Sequence, residues 1–306
     1  MQKNKSLKIY AIIFDIQRFS LHDGPGIRTT LFFKGCPIRC VWCQNPESHK
    51  IQPEIAFYIE RCKETYNCMR ACPKNAILKS GQLRIDYSKC DSCGICVSKC
   101  AFNAVKIIGK KWYLRELVDE ILKDRDYFFD SGGGVTLSGG SPMMQFEFLE
   151  EFLPQLKKNK IHVNIETCGV FKWEKIKKIV SHLDLIYYDL KHMDPLKHKM
   201  YTGMDNSLIL SNFEKLAKVF PELQPRMPVI PGINDGEENI LSVIQFLKDN
   251  KKESIHCLPY HNLGEAKLCR LNSSIKPLEL QDIDSEYLER VRKIFESGGI
   301  NIVIYE

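Results

Sequence analysis

The segment IRTTLFFKGCPIRCVWCQNP, residues 27–46, decides how the rest of the chain is read. Its first part, IRTTLFFKG, is an apolar run of strand length that reads as a buried β-strand, so the cysteines after it lie on the loop leaving that strand. On this loop Cys36, Cys40 and Cys43 fall within eight residues in C-x3-C-x2-C spacing, and no fourth cysteine is close enough to complete a tetrad. Three thiolates on a four-iron cluster leave one iron free for an outside ligand. The open coordination position is then the functional feature. Packing for size is a poor account of the triplet, because free cysteines rarely group this closely without ligating something.

The remaining cysteines extend this reading. Of thirteen in 306 residues, seven lie between Cys62 and Cys100, and Cys168, Cys257 and Cys269 lie beyond and read as packing or incidental thiols. CDSCGICVSKC supplies Cys90, Cys93, Cys96 and Cys100 in C-x2-C-x2-C-x3-C order, the bacterial ferredoxin spacing for [4Fe–4S] clusters. CKETYNCMRACP supplies Cys62, Cys68 and Cys72 with the same spacing except that Thr65 stands where the second cysteine belongs. In two-cluster ferredoxins the last cysteine of each run ligates the other cluster. That topology gives one complete set, Cys72, Cys90, Cys93 and Cys96, and one set a thiolate short, Cys62, Cys68 and Cys100. The short set leaves three outcomes open: a three-iron cluster, a four-iron cluster with another ligand, or none. Paired C-x2-C spacing also suits zinc, but two interleaved runs with a Cys-Pro ending favour iron–sulfur.

Composition is that of an ordinary globular chain, 44% hydrophobic and 27% charged, with a net charge of +6 and a pI of about 8.6. Lys and Arg are scattered, which reads as a solvated surface and gives no expectation of a nucleic-acid partner. No stretch approaches the ~18 apolar residues of a membrane span, and MQKNKSLKIYAIIFD reads as a first strand, not a signal peptide. The expected location is the cytoplasm, where reduced thiols ligate metals.

After residue 110 helical and strand patterns alternate. WYLRELVDEILKD (112–124) and FEFLEEFLPQL (146–156) read as helices; IHVNIE, LDLIYYDLK, RMPVIPG, SIHCLPYH and INIVIYE read as strands. With DIQRF and IRTTLFF in front, this pattern implies a parallel sheet covered by helices, an open or nearly closed β/α barrel. Ligand-binding groups should then gather after the strands' C-terminal ends. Candidates there are SGGSP (138–142), ETCG (166–169), DLK (189–191) and LPYH (258–261). No internal repeat or low-complexity tract is read, and the cysteine-dense stretch looks like an insertion. The expected divisions are 1–54 and 107–306 for the core and 55–106 for the insert.

HDGPGIRTTLFFKGCPIRCVWCQNPES, the two-run insert, the glycine turn, DLK and LPYH together resemble the glycyl radical enzyme activating enzymes. These are a branch of the radical S-adenosylmethionine (SAM) superfamily related to pyruvate formate-lyase activase. The resemblance implies an α/β fold: a partial (β/α)6 radical-SAM barrel with an inserted two-cluster ferredoxin-like domain. It implies that SAM chelates the open iron and is cleaved reductively. The resulting 5′-deoxyadenosyl radical removes hydrogen from a glycine Cα of a partner glycyl radical enzyme, with a flavodoxin or ferredoxin-type protein as electron donor. By the same resemblance, Cys36, Cys40 and Cys43 hold the catalytic cluster and Trp42 lies against the cofactor. Gly139 and Gly140 admit its methionine end, Asp189 and Lys191 flank its carboxylate and ribose, and His261 touches the ribose. Glu166 and Thr167, with Asp189, hold a monovalent cation. Ser141 stands where the family usually has Glu, which implies weaker contact with the cofactor's ammonium group. The loops HDGPG (22–26) and HNLGEAKL (261–268) are expected to face the partner.

Two other functions fit parts of this pattern. One is another radical enzyme, an anaerobic ribonucleotide reductase activase or a peptide maturase. The other is a non-catalytic iron–sulfur electron carrier. Release of 5′-deoxyadenosine by the reduced protein separates a carrier from an enzyme.

Overall fold

Strand β1 (Tyr10–Ser20) and strand β2 (Arg28–Phe33) are joined by residues 21–27, far short of the dozen or more that a parallel crossover needs. They pair antiparallel, Ile13 opposite Phe33 and Ser20 opposite Arg28. The structure, a computed structural model, describes residues 9–304, so the first eight residues of the expected first strand and the last two of INIVIYE lie outside the described residues.

Glu54–Phe57 (β3) and Val105–Ile108 (β4) form a separate antiparallel pair bracketing the cysteine-dense stretch. Strand β5 (Lys110–Tyr113) then returns to pair antiparallel with β1. The helix expected over 112–124 is therefore shorter, Leu114–Leu122, because Trp112 and Tyr113 are extended. The pairing explains this: Tyr10 and Tyr113 are cross-strand partners with ring centroids 6.0 Å apart, edge to face, an arrangement pleated strands favour.

From β2 onward every crossover carries a helix, and the strands run parallel. They are β6 (Gly134–Gly139), β7 (His162–Thr167), β8 (Leu185–Asp189), β9 (Leu223–Val229), β10 (Ser254–Pro259) and β11 (Asn301–Ile304). The nine-stranded order is β11-β10-β9-β8-β7-β6-β2-β1-β5, an open α/β sheet. The helix Phe146–Lys158 buries Phe146, Phe148, Leu149, Phe152, Leu153 and Leu156, one stripe of a 3.6-residue period. That stripe joins Leu31, Val135, Leu137 and Val163 of the sheet in the main core.

The insert has its own smaller core of Ile55, Phe57, Ile77, Ile85, Cys96, Ala104 and Val105, with Cys62, Cys68, Cys72, Cys90 and Cys100 packed against it. A buried ion pair joins its base to the sheet. Lys34 Nζ, just after β2, lies 3.0 Å from Glu54 Oε1 and donates to the Glu47 carbonyl at 2.7 Å. Burial pulls the Lys34 pKa down despite Glu54, and Glu54 also pairs with Lys50 at 3.0 Å.

Candidate radical centre

The C-terminal ends of β2, β6, β7, β8 and β9 converge on a cavity of about 350 Å3. Into it come Cys36, Cys40, Trp42 and Cys43 from the loop after β2, Gly139 and Gly140 from the end of β6, Glu166 and Thr167 from β7, and Asp189 and Lys191 from β8. The loop is pinned from outside: Arg39 N donates to Thr202 O at 2.7 Å and Val41 N to Tyr201 O at 3.0 Å. Trp42 is buried against Tyr201 at 6.4 Å between centroids. Burial pushes the Cys40 thiol up to about 11 and, with Cys40 beside it, the Cys43 thiol up to about 12. Burial thus disfavours the bare thiolates, and a bound metal would compensate by displacing their protons. Three soft donors on one loop, facing one cavity, fit an iron–sulfur cluster with an open position.

Gly139 and Gly140 are required by the protein's own backbone. Gly139 has φ +96, and a Cβ there would sit 2.5 Å from Phe33 N; at Gly140 it would sit 2.3 Å from Gly35 O. The turn is thus pressed onto the start of the cysteine loop, and its open face lines the cavity. Ser141, by contrast, is fully buried behind that turn. Its N–H donates to Gly35 O at 2.7 Å, and its Oγ has no hydrogen-bond partner among the described residues. The expectation that residue 141 faces the cofactor's ammonium group is corrected: it is absent from the cavity wall.

Charge in the cavity is organised by Arg226, a residue that no motif in the sequence singles out. From β9 it donates through Nη1 to Glu166 Oε1 at 2.5 Å and through Nε to Asp189 Oδ1 at 3.1 Å. Lys191 Nζ reaches Asp189 Oδ2 at 3.2 Å, and the Ser138 hydroxyl donates to Glu166 Oε2. Burial opposes the charge on Lys191 and Arg226, but their carboxylate partners outweigh it and both pKa values rise. At Asp189 burial is outweighed by Lys191 and Arg226, and the carboxylate is held below its ordinary range. At Glu166 burial prevails over Arg226 and the pKa is raised. A signal for Arg226 did exist: an arginine inside the apolar run RMPVIPG needs a buried partner.

The monovalent cation implied for Glu166, Thr167 and Asp189 does not fit these residues as placed. The guanidinium of Arg226 already bridges the two carboxylates, and the Thr167 Oγ1 accepts from Gly169 N at 3.1 Å. Nor does His261 join the site. It is exposed and absent from the cavity wall, because the chain leaves β10 at Pro259 and its carbonyl is held by Gln44 Nε2 at 2.8 Å. Cys168, read as incidental, lines the cavity, and its thiol pKa is raised first by the neighbouring Cys36 and then by burial.

The HDGPG loop is hydrogen-bonded into the fold beside the cavity. His22 and Asp23 line it. Arg28, fully buried, donates to Thr136 Oγ1 at 2.6 Å, Val135 O at 2.7 Å and Pro25 O at 3.0 Å. HNLGEAKL packs on the segment after the triplet, with Gly264 N donating to Gln44 Oε1 at 2.9 Å and Lys267 3.3 Å from Glu47.

In the insert, the interleaved sets fall around two separate hollows. Cys72, Cys90, Cys93 and Cys96 line one; Cys62, Cys68, Cys100 and Thr65 line the other. Each thiolate of a cubane binds a different iron, so such thiols need not converge on one point. Among the described residues none of the His, Cys, Asp and Glu groups is arranged around a single ion.

A parallel sheet presenting an open-sided cysteine triplet over a cation–carboxylate chain, with a cysteine-dense insert beside it, defines a radical SAM enzyme with accessory iron–sulfur sites. The Radical SAM superfamily model matches residues 92–244 and a 4Fe-4S dicluster domain matches residues 55–101. The chain is 40% identical over 298 residues to the trans-4-hydroxy-L-proline dehydratase activating enzyme of Clostridioides difficile, covering 96% of this chain and 98% of that protein. It is 40% identical over 312 residues to the 4-hydroxyphenylacetate decarboxylase activating enzyme of Clostridioides difficile (strain CD196), covering 98% and 97%. The isethionate sulfite-lyase activating enzyme of Desulfovibrio desulfuricans is 39% identical over 268 residues, covering 85% and 86%. The chain belongs to the glycyl radical enzyme activating enzymes. It is a radical SAM oxidoreductase that uses an iron–sulfur cluster and SAM to activate a partner glycyl radical enzyme. No described helix is long and apolar enough to cross a membrane.

Proposed function

We propose that the cavity at the strand ends is where SAM is held and cleaved, with Cys36, Cys40 and Cys43 as the anchors of the catalytic cluster. The carrying observation is convergence: the triplet, the glycine turn and the Lys191–Asp189–Arg226–Glu166 chain come from five strands to one wall. The bound cluster and SAM supply a primary carbon radical by one-electron reduction; that chemistry is the cofactors' own. The chain's residues orient and enclose. Gly139 and Gly140 present backbone to the methionine end, Trp42 closes the side under Tyr201, and Lys191 offers a fixed positive charge to a carboxylate. Arg226 holds Glu166 and Asp189 in place, and no cation is needed in that role. Asp23 and His22, at the mouth, face an incoming glycine-bearing segment.

On the same grounds the chain divides into a core of residues 1–54 and 107–306 interrupted by an insert, 55–106. The insert hollows hold accessory clusters that pass electrons from a flavodoxin or ferredoxin-type donor. A cytoplasmic location accords with so many reduced thiols.

The test uses anaerobically reconstituted protein with dithionite and SAM. Stoichiometric 5′-deoxyadenosine and methionine are expected, and a glycyl radical signal should appear in a glycyl radical enzyme encoded beside this chain. Absence of 5′-deoxyadenosine overturns the reading in favour of an electron carrier.

A further inference from the structure

The insert repeats its backbone as well as its cysteine spacing. Left-handed backbone recurs at a constant offset of 28 residues: Glu64 (φ 53) and Ser92 (φ 58), Tyr66 (φ 55) and Gly94 (φ 78), Asn75 (φ 50) and Asn103 (φ 53). The short helices Asn67–Arg70 and Ile95–Ser98 match at the same offset. So do two N–H to sulfur contacts, Ala76 N to Cys72 Sγ and Ala104 N to Cys100 Sγ, both 3.3 Å. Thr65 therefore occupies the backbone position of Cys93, between two left-handed residues, on the wall of its own hollow.

Two features set this lobe apart from the other, and the second bears on the charge of its occupant. Left-handed backbone at a non-glycine residue is strained by roughly 1 kcal/mol or more, and Tyr66 keeps it where the other lobe uses Gly94. Arg84, its side chain only 14% exposed, points into the hollow. Its Nη1 is 3.7 Å from Cys62 Sγ, its Nη2 holds Glu64 Oε1 at 2.5 Å, and its buried Nε has no hydrogen-bond partner among the described residues. A guanidinium beside a thiol matches an anionic cluster. Glu64, the carboxylate that could reach the fourth corner, is engaged by that same Arg84. The Thr65 side chain is exposed and brings only a neutral alcohol.

We propose that Cys62, Cys68 and Cys100 hold a four-iron cluster on three thiolates, with an exchangeable iron at the Thr65 corner, while Cys72, Cys90, Cys93 and Cys96 hold their cluster on four. In the Thr65 lobe an oxidant such as ferricyanide takes one electron and Fe2+ departs, converting [4Fe–4S]2+ to [3Fe–4S]+. Added Fe2+ and one electron from dithionite reverse the step. One thiolate fewer and Arg84 alongside also raise this cluster's potential above its neighbour's. The inference rests on the reading that the insert binds clusters.

The catalytic triplet would release an iron in the same way, so the test removes it. In full-length C36A/C40A/C43A protein, reconstituted anaerobically, about eight irons per chain are expected from two four-iron clusters. One equivalent of ferricyanide should release about one of them and give the paramagnetic signal of a single three-iron cluster. Adding Thr65→Cys should abolish both the release and the signal, and adding Cys93→Thr instead should roughly double both. Retention of all eight irons without Thr65→Cys means a fourth ligand is present and overturns the proposal. About four irons, none released, means the lobe is empty and also overturns it. No iron at all sinks the underlying reading of the insert instead. If Thr65→Cys fails to fold, the Cys93→Thr arm still decides.

Discussion

Cys36, Cys40 and Cys43 face a cavity assembled from residues as far apart as His22 and Leu258, whereas every thiol of the insert meets its neighbours within residues 62–100. The two sites solve one problem, holding iron and sulfur, under different constraints. In the insert, ligand spacing is itself the structure: its core is a handful of side chains, and the thiols are part of it. At the radical cavity the triplet thiols are three of 22 lining residues, and most of the others come from five strands and the loops that leave them. Local sites are legible from spacing. Convergent sites are legible only in the part that stays local.

The largest expected effect tests that independence. Replacing any of Cys36, Cys40 or Cys43 by Ala should abolish 5′-deoxyadenosine release, because thiolates are the covalent anchors of the cluster and packing cannot replace them. The insert should keep its iron, about four irons per chain being lost. Iron analysis with a SAM-cleavage assay checks both. Retained cleavage in all three variants would return the triplet to a structural role, and loss of all iron would show the sites to be coupled.

Next in size is Arg226. Removing one partner from a buried charge group costs about 3–5 kcal/mol, because the remaining charges stay buried and unpaired. Arg226→Met should lower stability by that order, and the effect should depend on pH. In the wild-type protein the Asp189 pKa is lowered. Its stabilisation is present above the unfolded carboxylate pKa and is lost as pH falls through the folded one. Glu166, already raised by burial in the wild type, is raised further in the variant, while Lys191 still opposes burial at Asp189. The Glu166 contribution should then be most favourable below the unfolded carboxylate range and be lost as pH rises through its raised value, so the variant's deficit should grow with pH. Thermal unfolding from pH 4 to 8 reads this trend. Exchanging K+ for Na+ or tetramethylammonium should leave wild-type SAM binding unchanged, since a guanidinium occupies the place between the carboxylates. A wild-type dependence on the alkali cation would count against that assignment.

Arg226, Ser141 and His261 mark where the sequence stops being informative. β2, the glycine turn and the interleaved insert sets follow from periodicity and spacing, which are properties of contiguous residues. The antiparallel direction of β1 is not visible in its periodicity, although the short loop 21–27 requires it. The partner of Glu166 and Asp189 comes from a different strand: the arginine in RMPVIPG signals that it needs a buried partner, but no local rule says which. Ser141 and His261 depart from expectation for the opposite reason: a motif match fixes chain position but not which way a side chain turns. Ser141 turns into the protein beneath Gly35, and His261 turns out to solvent. Gly139 and Gly140 suggest approach to a ligand, yet the backbone of Phe33 and Gly35 alone demands them.

Ser141 therefore gives a third prediction. A glutamate at a fully buried site carries a desolvation cost of several kcal/mol if ionised, and its extra atoms overpack by another 1–3 kcal/mol or so. Ser141→Glu should destabilise the protein and weaken SAM binding, the opposite of what a cavity-facing residue would do. Ser141→Ala should be within about 1 kcal/mol of neutral, because the hydroxyl removed makes no hydrogen bond among the described residues. Calorimetry on the reconstituted pair decides. Tighter binding in Ser141→Glu would restore residue 141 to the cavity wall.

The smallest effect separates relay from scaffold in the insert. Cys93 is exposed and lines the four-cysteine hollow, outside the radical cavity. If that cluster only passes electrons, a reductant that reaches the catalytic cluster directly should not need it. Cys93→Ala should then slow SAM cleavage about tenfold with a flavodoxin or ferredoxin-type donor, on the order of 1.4 kcal/mol in the barrier, and less than twofold with dithionite. A scaffolding role makes a different demand. The insert core meets the sheet through Lys34 and Glu54, so an insert loosened by a lost ligand would disturb the end of β2 and the triplet loop after it. Both donors would then lose rate together, and the Lys34→Met variant would reproduce the loss with all clusters intact. Equal slowing with both donors, matched by Lys34→Met, therefore removes the relay and leaves the two sites coupled through that buried pair.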